Sequence, residues 1–154
     1  MTTSDIIDAI TEPIVARDCF LVDVFISKNN EITITFESEQ GIADLDDCVA
    51  ISRAFESKFD REVEDYELTV TSAGLDQPFK VLKQYLKAIG TKVEVSFKGG
   101  RKLVGELTAA DEANIEVRYT AREAVEGKKK KEIVEHIETF SLENINMVMP
   151  HIDF

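Results

Sequence analysis

The sequence predicts an α+β protein, with an N-terminal α/β sandwich domain in the order αββαβ followed by a small all-β barrel of the SH3-like or Sm-like kind. Helical and strand periodicities alternate in the first part, and five short alternating segments fill the second. A polar segment with Gly and Pro separates them. With 154 residues, of which 44% are apolar, the chain can bury such a core.

The first helix is predicted to begin at Ser4, as N-cap, with Asp5 in the first turn, where the helix dipole favours negative charge. One helical face is apolar and consists of Ile6, Ile7, Ile10 and Ile14. Pro13 lies inside the segment. It is expected to kink the helix or end it early, because proline lacks the N–H that a helix interior needs.

The next segments predict a hairpin, a helix and a strand. Residues 20–26 and 32–36 alternate, and the turn-rich residues 28–31 join them. A second helix opens at residues 41–44, and its apolar face is predicted to consist of Leu45, Cys48, Val49, Phe55 and Phe59. Alternation at residues 66–70 predicts the third strand, so helices cover one face of a sheet.

A joint follows at residues 71–78, which are polar and include Gly and Pro. The apolar residues of a short helix come next: Phe79, Leu82, Leu86 and Ile89. The helix is predicted to end at Gly90, a C′ glycine. We therefore predict an N-terminal domain over residues 1–78, a connecting helix over 79–90 and a barrel domain over 91–154.

The last part predicts five short strands. Residues 92–97 alternate, and Gly99-Gly100 forms a tight hairpin turn. The further strands are expected at residues 102–107, 114–119, 133–140 and 146–149. Short strands with tight turns are typical of a small barrel, which protects the edges that an open sheet would expose.

The charge is strongly negative and unevenly spread. Lys and Arg number 18 and Asp and Glu number 30, which gives a net charge of −12. Residues 1–90 carry 8 basic and 18 acidic side chains, whereas residues 91–154 carry 10 and 12. This balance disfavours a protein that wraps duplex nucleic acid and favours basic partners. The alternative is an acidic surface that only keeps the protein soluble.

A twelve-residue segment carries a family resemblance. Residues 68–79 read LTVTSAGLDQPF, which resembles the signature of the bacterial ribosome maturation factor RimP family, where a strand ends in Ser-Ser-Pro-Gly-Leu-Asp-Arg-Pro-Leu. The matching residues are Ser72, Gly74, Leu75, Asp76 and Pro78. Ala73, Gln77 and Phe79 replace the family's Pro, Arg and Leu. Length, low pI and the order of the two parts also agree.

The resemblance implies a function in assembly. A member of this family would bind the assembling small (30S) ribosomal subunit through a basic small-subunit ribosomal protein and promote late 30S biogenesis, with 16S ribosomal RNA as a further candidate partner. It would act in the cytoplasm as a monomer without cofactor, and it would not be an enzyme. The matching motif residues would then form a binding surface at the joint. A simple interdomain turn, with Asp76 as a helix cap, is the alternative.

The residues themselves do not predict catalysis or a metal site. GxSxG, Walker A and GxGxxG motifs are absent from the sequence. His136 and His151 have no partners at metal-ligand spacing, and Cys19 and Cys48 are single cysteines better explained as core residues. The sequence shows neither a signal peptide nor an apolar run of membrane-spanning length, so we expect a cytosolic protein without membrane partners.

Two features could contact RNA. The basic run consists of Lys128, Lys129, Lys130 and Lys131. It could contact ribosomal RNA phosphates, with Arg101, Lys102, Arg118 and Arg122 in support, or it could be a solvated loop.

The second feature is a sequence similarity to the first Sm motif. Residues 104–107, Asp111 and residues 114–117 resemble that motif, so the alternative function is an Sm-like RNA-binding module acting on free RNA. Ordinary turn residues, and a strand bend at Gly105, would explain the same pattern. Near the second helix, Asp44, Asp46 and Asp47 could face a basic protein tail or stabilise the helix N-terminus.

Overall fold

The structure is a computed structural model that describes residues 1–74, 76–124, 126–127 and 129–152. The chain divides into two compact units, unit 1 (Met1–Gly74) and unit 2 (Leu75–Phe154). Within the described residues there are three helices and eight strands in two sheets, which confirms the predicted α+β class. No helix among them is both long enough and apolar enough to cross a membrane.

Unit 1 has the predicted order αββαβ. Its elements are α1 (Thr3–Ala16), β1 (Cys19–Ile26), β2 (Glu31–Ser38), α2 (Leu45–Lys58) and β3 (Glu67–Ser72). The sheet order is β1-β2-β3. Strands β1 and β2 form the predicted antiparallel hairpin, whereas β3 runs parallel to β2 because α2 carries the chain back to the same end of the sheet.

The core of unit 1 lies between the sheet and its two helices. Helix α1 contributes Ile6, Ile10 and Ile14, at the spacing that the sequence predicts. The buried residues from the other elements are Cys19, Ile32, Ile34, Phe36, Ile51, Phe55 and Tyr66. The prediction for α2 was wrong at Leu45 and Val49, which are 76% and 39% exposed, and it missed the buried Ile51.

The predicted N-cap of α1 was wrong. The N-cap is Thr2, not Ser4: the Thr2 hydroxyl accepts from the Asp5 amide at 3.1 Å, and the Asp5 carboxylate accepts from the Thr2 amide at 2.9 Å. Pro13 does not end the helix early, since α1 continues to Ala16. The Ala9 carbonyl, which a residue-13 amide would otherwise engage, accepts a hydrogen bond from Lys58 Nζ of α2.

Unit 2 is a short helix followed by a five-stranded antiparallel sheet. Its elements are α3 (Leu82–Ala88), β4 (Lys92–Phe97), β5 (Lys102–Ala110), β6 (Asn114–Glu123), β7 (Glu132–Ser141), the 3-10 helix η1 (Leu142–Asn144) and β8 (Ile145–Pro150). The sheet order is β7-β6-β5-β4-β8, so the last strand returns to pair with the first. This order agrees with the predicted SH3-like barrel.

Helix α3 is shorter than predicted and presents a different face. It begins at Leu82 rather than at residue 79, and it ends before Gly90, whose φ of +90° suits a C′ glycine. The residues packed on the sheet core are Phe79, Tyr85 and Ala88. Leu86 and Ile89, which the sequence placed on the apolar face, are 46% and 40% exposed.

Candidate functional site

The motif segment crosses the boundary between the two units. Ser72 ends β3 and pairs with Phe36 of β2, and the Ala73 amide donates to the Phe36 carbonyl at 2.9 Å. Ser72 and Gly74 thus belong to unit 1, where the start of the segment is held against the central strand. Asp76 and Pro78 belong to unit 2. Leu75 lies outside the described residues.

Asp76 does not cap the following helix. The capping groups come from Gln84, a buried residue only 4% exposed, whose Oε1 accepts from the backbone amides of Lys80 at 2.6 Å and Val81 at 3.1 Å. The Asp76 carboxylate instead accepts a long 3.5 Å hydrogen bond from Gln77 Nε2. Both are exposed, so Asp76 can meet a partner. Gln84 is not predicted as a capping residue from the sequence, because a glutamine is usually a surface residue.

Pro78 lies at the edge of an apolar groove in unit 2. The adjoining Phe79 is fixed by its amide, which donates to the Val148 carbonyl at 2.7 Å, and its ring meets the Tyr85 ring edge-on at a centroid distance of 5.1 Å. The remaining apolar lining consists of Leu82, Leu142, Ile145 and Met147. Burial raises the pKa of the Tyr85 phenol, so the floor of the groove stays uncharged.

The rim of this groove carries charges of both signs. Asp111 and Glu112 line it from the turn between β5 and β6, Lys80 lines it as well, and all three are exposed. Asp111 accepts from the amides of Ala113 at 2.8 Å and Asn114 at 2.7 Å, and these bonds lower the pKa of its carboxyl. An apolar floor with charged groups at its rim suits a polypeptide segment that carries both apolar and charged side chains. Asp111 also has the turn role that the sequence analysis gave as the alternative to base recognition.

The basic run lies elsewhere in unit 2. Lys129, Lys130 and Lys131 are exposed and precede β7, while Lys128 lies outside the described residues. None of the three described lysines lines the groove beside Pro78. The supporting cation Arg118 pairs with Glu106 at 2.5 Å and lies 3.8 Å from Glu135, so part of its charge is already matched.

The aspartates at the start of α2 have structural contacts. Asp44 is the N-cap, and its carboxylate accepts from the Asp47 amide at 2.9 Å. The Asp47 carboxylate accepts from the Asp44 amide and pairs with Arg17 at 2.9 Å; these contacts hold the pKa of Asp47 below its usual value. Asp46 remains exposed. Stabilisation of the α2 N-terminus therefore explains Asp44 and Asp47, but not Asp46.

The net charge of the chain differs sharply between the two units. Unit 1 contains 5 basic and 17 acidic side chains, so its net charge is −12, whereas unit 2 contains 13 of each and is neutral. Most of the unit 1 acids are exposed, among them Asp8 and Glu12, which are one helical turn apart on α1. The negative field of the chain thus arises from unit 1.

Comparison with known proteins agrees with the motif. The model of the RimP N-terminal domain matches residues 9–76. A ribosome maturation factor RimP from Porphyromonas gingivalis is 39% identical over 127 residues, which cover 82% of each chain. The chain belongs to the RimP family. Its membership, predicted from residues 68–79, is confirmed.

Further RimP proteins show the same extent of similarity. The ribosome maturation factor RimP of Christiangramia forsetii is 36% identical over 104 residues, covering 68% of this chain and 67% of the relative. That of Flavobacterium psychrophilum is 35% identical over 119 residues, covering 77% and 76%. The RimP family is named for ribosome maturation, and this chain shares that role at the level of the family.

Proposed function

We propose that this chain promotes late maturation of the small (30S) ribosomal subunit by binding a basic small-subunit ribosomal protein on the assembling particle. Membership of the RimP family supports a role in maturation. The single observation that supports a basic partner is the confinement of the whole net charge of −12 to unit 1. Ribosomal proteins that contact RNA are basic, so a strongly anionic unit attracts them.

In this proposal unit 1 accelerates encounter and the motif segment fixes the complex. Long-range attraction raises the association rate, while short-range contacts set the lifetime of the complex. Asp76 and Pro78, with the groove lined by Phe79 and Tyr85, offer an exposed carboxylate beside an apolar surface. The other matching motif residues, Ser72, Gly74 and Leu75, would contribute to binding the same partner. The lysine run from Lys128 to Lys131 would contact 16S ribosomal RNA nearby.

The proposed mechanism is thermodynamic rather than enzymatic. A factor that binds one conformation of an assembling particle more tightly than the others increases the population of that conformation. Such a factor needs no cofactor and no reacting group, and it would act in the cytoplasm as a monomer. It leaves once the mature particle no longer presents the preferred conformation.

The test uses sedimentation and association kinetics. The chain should comigrate with free small subunits on a gradient of cell extract and not with complete ribosomes. Asp8→Asn with Glu12→Gln should slow association with immature small subunits several-fold at low salt, and added salt should shrink the difference. The matched control, Glu126→Gln with Glu135→Gln, removes the same charge from unit 2 and should have a smaller effect. Equal association rates at low and high ionic strength would contradict the proposal.

A further inference from the structure

The turn between β4 and β5 concentrates positive charge in an acidic chain. Residues 98–102 read Lys-Gly-Gly-Arg-Lys, with three cations and no acid in five residues. Lys98, Arg101 and Lys102 are all exposed. In the described part of the chain, no carboxylate lies within ion-pair distance of Lys98 or Lys102. The charges of Lys98 and Lys102 are therefore available to an anionic ligand, whereas the Arg101 side chain also hydrogen-bonds Tyr119.

The turn is also rigidly held. The Phe97 amide donates to the Arg101 carbonyl at 2.8 Å, and the Lys98 amide donates to the Asn144 carbonyl at 3.0 Å. Gly99 and Gly100 have φ of +104° and +99°, and nothing lies within 4 Å of the position that a Cβ would take at either residue. A polymer backbone can therefore approach the turn closely.

Aromatic rings lie directly beneath the central cation. Phe97 and Phe140 are half-buried and pack edge to face, with centroids 5.0 Å apart. The Arg101 guanidinium carbon lies 5.3 Å from the Phe97 centroid and 5.9 Å from that of Phe140. These contacts hold the planar group in place before any ligand binds, which reduces the entropy that binding would cost.

Polar groups complete the surface. Thr139, Ser141 and Asn144 line the same depression as Lys98, Arg101 and the two rings. Hydroxyl and amide groups of this kind can donate to and accept from the edge of a nucleobase. If the cation–π contact of Arg101 served only to stabilise the hairpin, the turn would not need Lys98 and Lys102, which have no carboxylate partner in the described residues.

We propose that this surface, the basic turn patch, binds single-stranded RNA; it is defined by Phe97, Lys98, Arg101, Phe140 and Asn144. An unpaired base stacks on the guanidinium of Arg101, and Lys98 and Lys102 contact the adjoining phosphates. Proteins bind single strands by this combination of stacking planes and backbone-directed cations. The patch differs from the lysine run at residues 128–131 and needs no ribosomal protein.

The test is fluorescence anisotropy of the full chain with a labelled single-stranded RNA of mixed sequence, about ten nucleotides long, at low salt. Lys98→Ala with Arg101→Ala should weaken binding about tenfold or more. It should also reduce the slope of log K against log salt concentration by about 0.7, because about 0.7 is lost for each phosphate contact on a single strand and Lys98 is the residue of the pair that contacts a phosphate. Lys28→Ala with Arg53→Ala, at two exposed cations of unit 1, is the matched control and should bind like the wild type.

Two further variants separate stacking from charge. Arg101→Lys should leave the salt dependence of RNA binding unchanged but weaken the affinity several-fold, because an ammonium group cannot stack on a base. Phe140→Leu should behave similarly while circular dichroism shows an intact fold. The patch is rejected if the double variant binds RNA as the control does. It is also rejected if a polyglutamate peptide of equal charge binds as tightly as the RNA, since that shows simple anion attraction. Binding to immature small subunits through unit 1 is a separate measurement, so the two proposals can fail independently.

Discussion

Lys58 Nζ of α2 donates a hydrogen bond to the Ala9 carbonyl oxygen of α1. In an uninterrupted helix the amide of residue 13 would engage this oxygen, but residue 13 is Pro. The lysine, in the last turn of α2, therefore replaces the missing donor. It shows how α1 continues past an internal proline, and it connects two helices through residues that are 49 positions apart in the sequence.

This contact predicts a coupling between residues 58 and 13. Lys58→Met should lower the free energy of unfolding by about 1 kcal/mol, because the Ala9 carbonyl loses a charged donor. In a Pro13→Ala background the residue-13 amide supplies the bond, so the same substitution should cost much less. Urea unfolding measures both. Arg53→Met, at an exposed position of α2, is the control, and an equal cost in the two backgrounds would contradict the coupling.

At Gly105 of unit 2 there is no space for a side chain. A Cβ at this buried position would lie 2.7 Å from the Arg118 carbonyl oxygen and 2.7 Å from Val117 Cγ1. Because the first contact is with backbone, the neighbour cannot simply rotate away, and Gly105→Ala should cost about 1–3 kcal/mol of unfolding free energy. Val104→Ala, at the adjoining exposed residue, should change it by less than about 0.5 kcal/mol. Comparable costs for the two variants would refute the steric account.

Asp47 predicts an acid-dependent contribution to stability. Its pKa is lowered in the folded state from the ordinary value of 3.8, first by the Asp44 amide and then by Arg17. A lowered folded-state pKa gives stability that is fully present above 3.8 and is lost as the pH falls through the folded-state value. Asp47→Asn should therefore destabilise the protein at pH 7 by about 1 kcal/mol, with a smaller difference from wild type in acid.

Thermal unfolding across pH measures this effect. Asp46→Asn is the matched control, since Asp46 lies in the same first turn and is exposed, so it should show a smaller dependence. A difference between wild type and Asp47→Asn that stays constant from neutral pH to strong acid would count against the linkage.

At Asp76 we expect a substitution to affect binding without affecting stability. The side chain is exposed and does not cap α3, so Asp76→Asn should change the unfolding free energy by less than about 0.5 kcal/mol. If the motif segment binds a partner, the variant should still weaken capture of immature small subunits in a pull-down. Glu126→Gln, another exposed acid of unit 2, is the control. Unchanged capture would remove Asp76 from the binding surface.

Periodicity in the sequence was sufficient for most elements because each alternates apolar residues at the period of its own geometry. Ile6, Ile10 and Ile14 face the core as predicted, and the hairpin turn at Gly99-Gly100 lies where its glycines indicate. The twelve-residue motif identified the family without any structure. These features depend on neighbours along the chain, which the sequence displays directly.

The tertiary structure decided what depends on residues distant in sequence. Gln84 is buried because amides at the start of α3 need an acceptor, and Pro13 is tolerated because Lys58 arrives from α2. Leu86 and Ile89 are exposed because Tyr85 and Ala88 form the face of α3 that packs on the sheet core. The division at Gly74, which separates an anionic unit from a neutral one, likewise became visible only from contacts. Hydrogen-bond partners and packing neighbours meet only after folding, so local pattern cannot specify them.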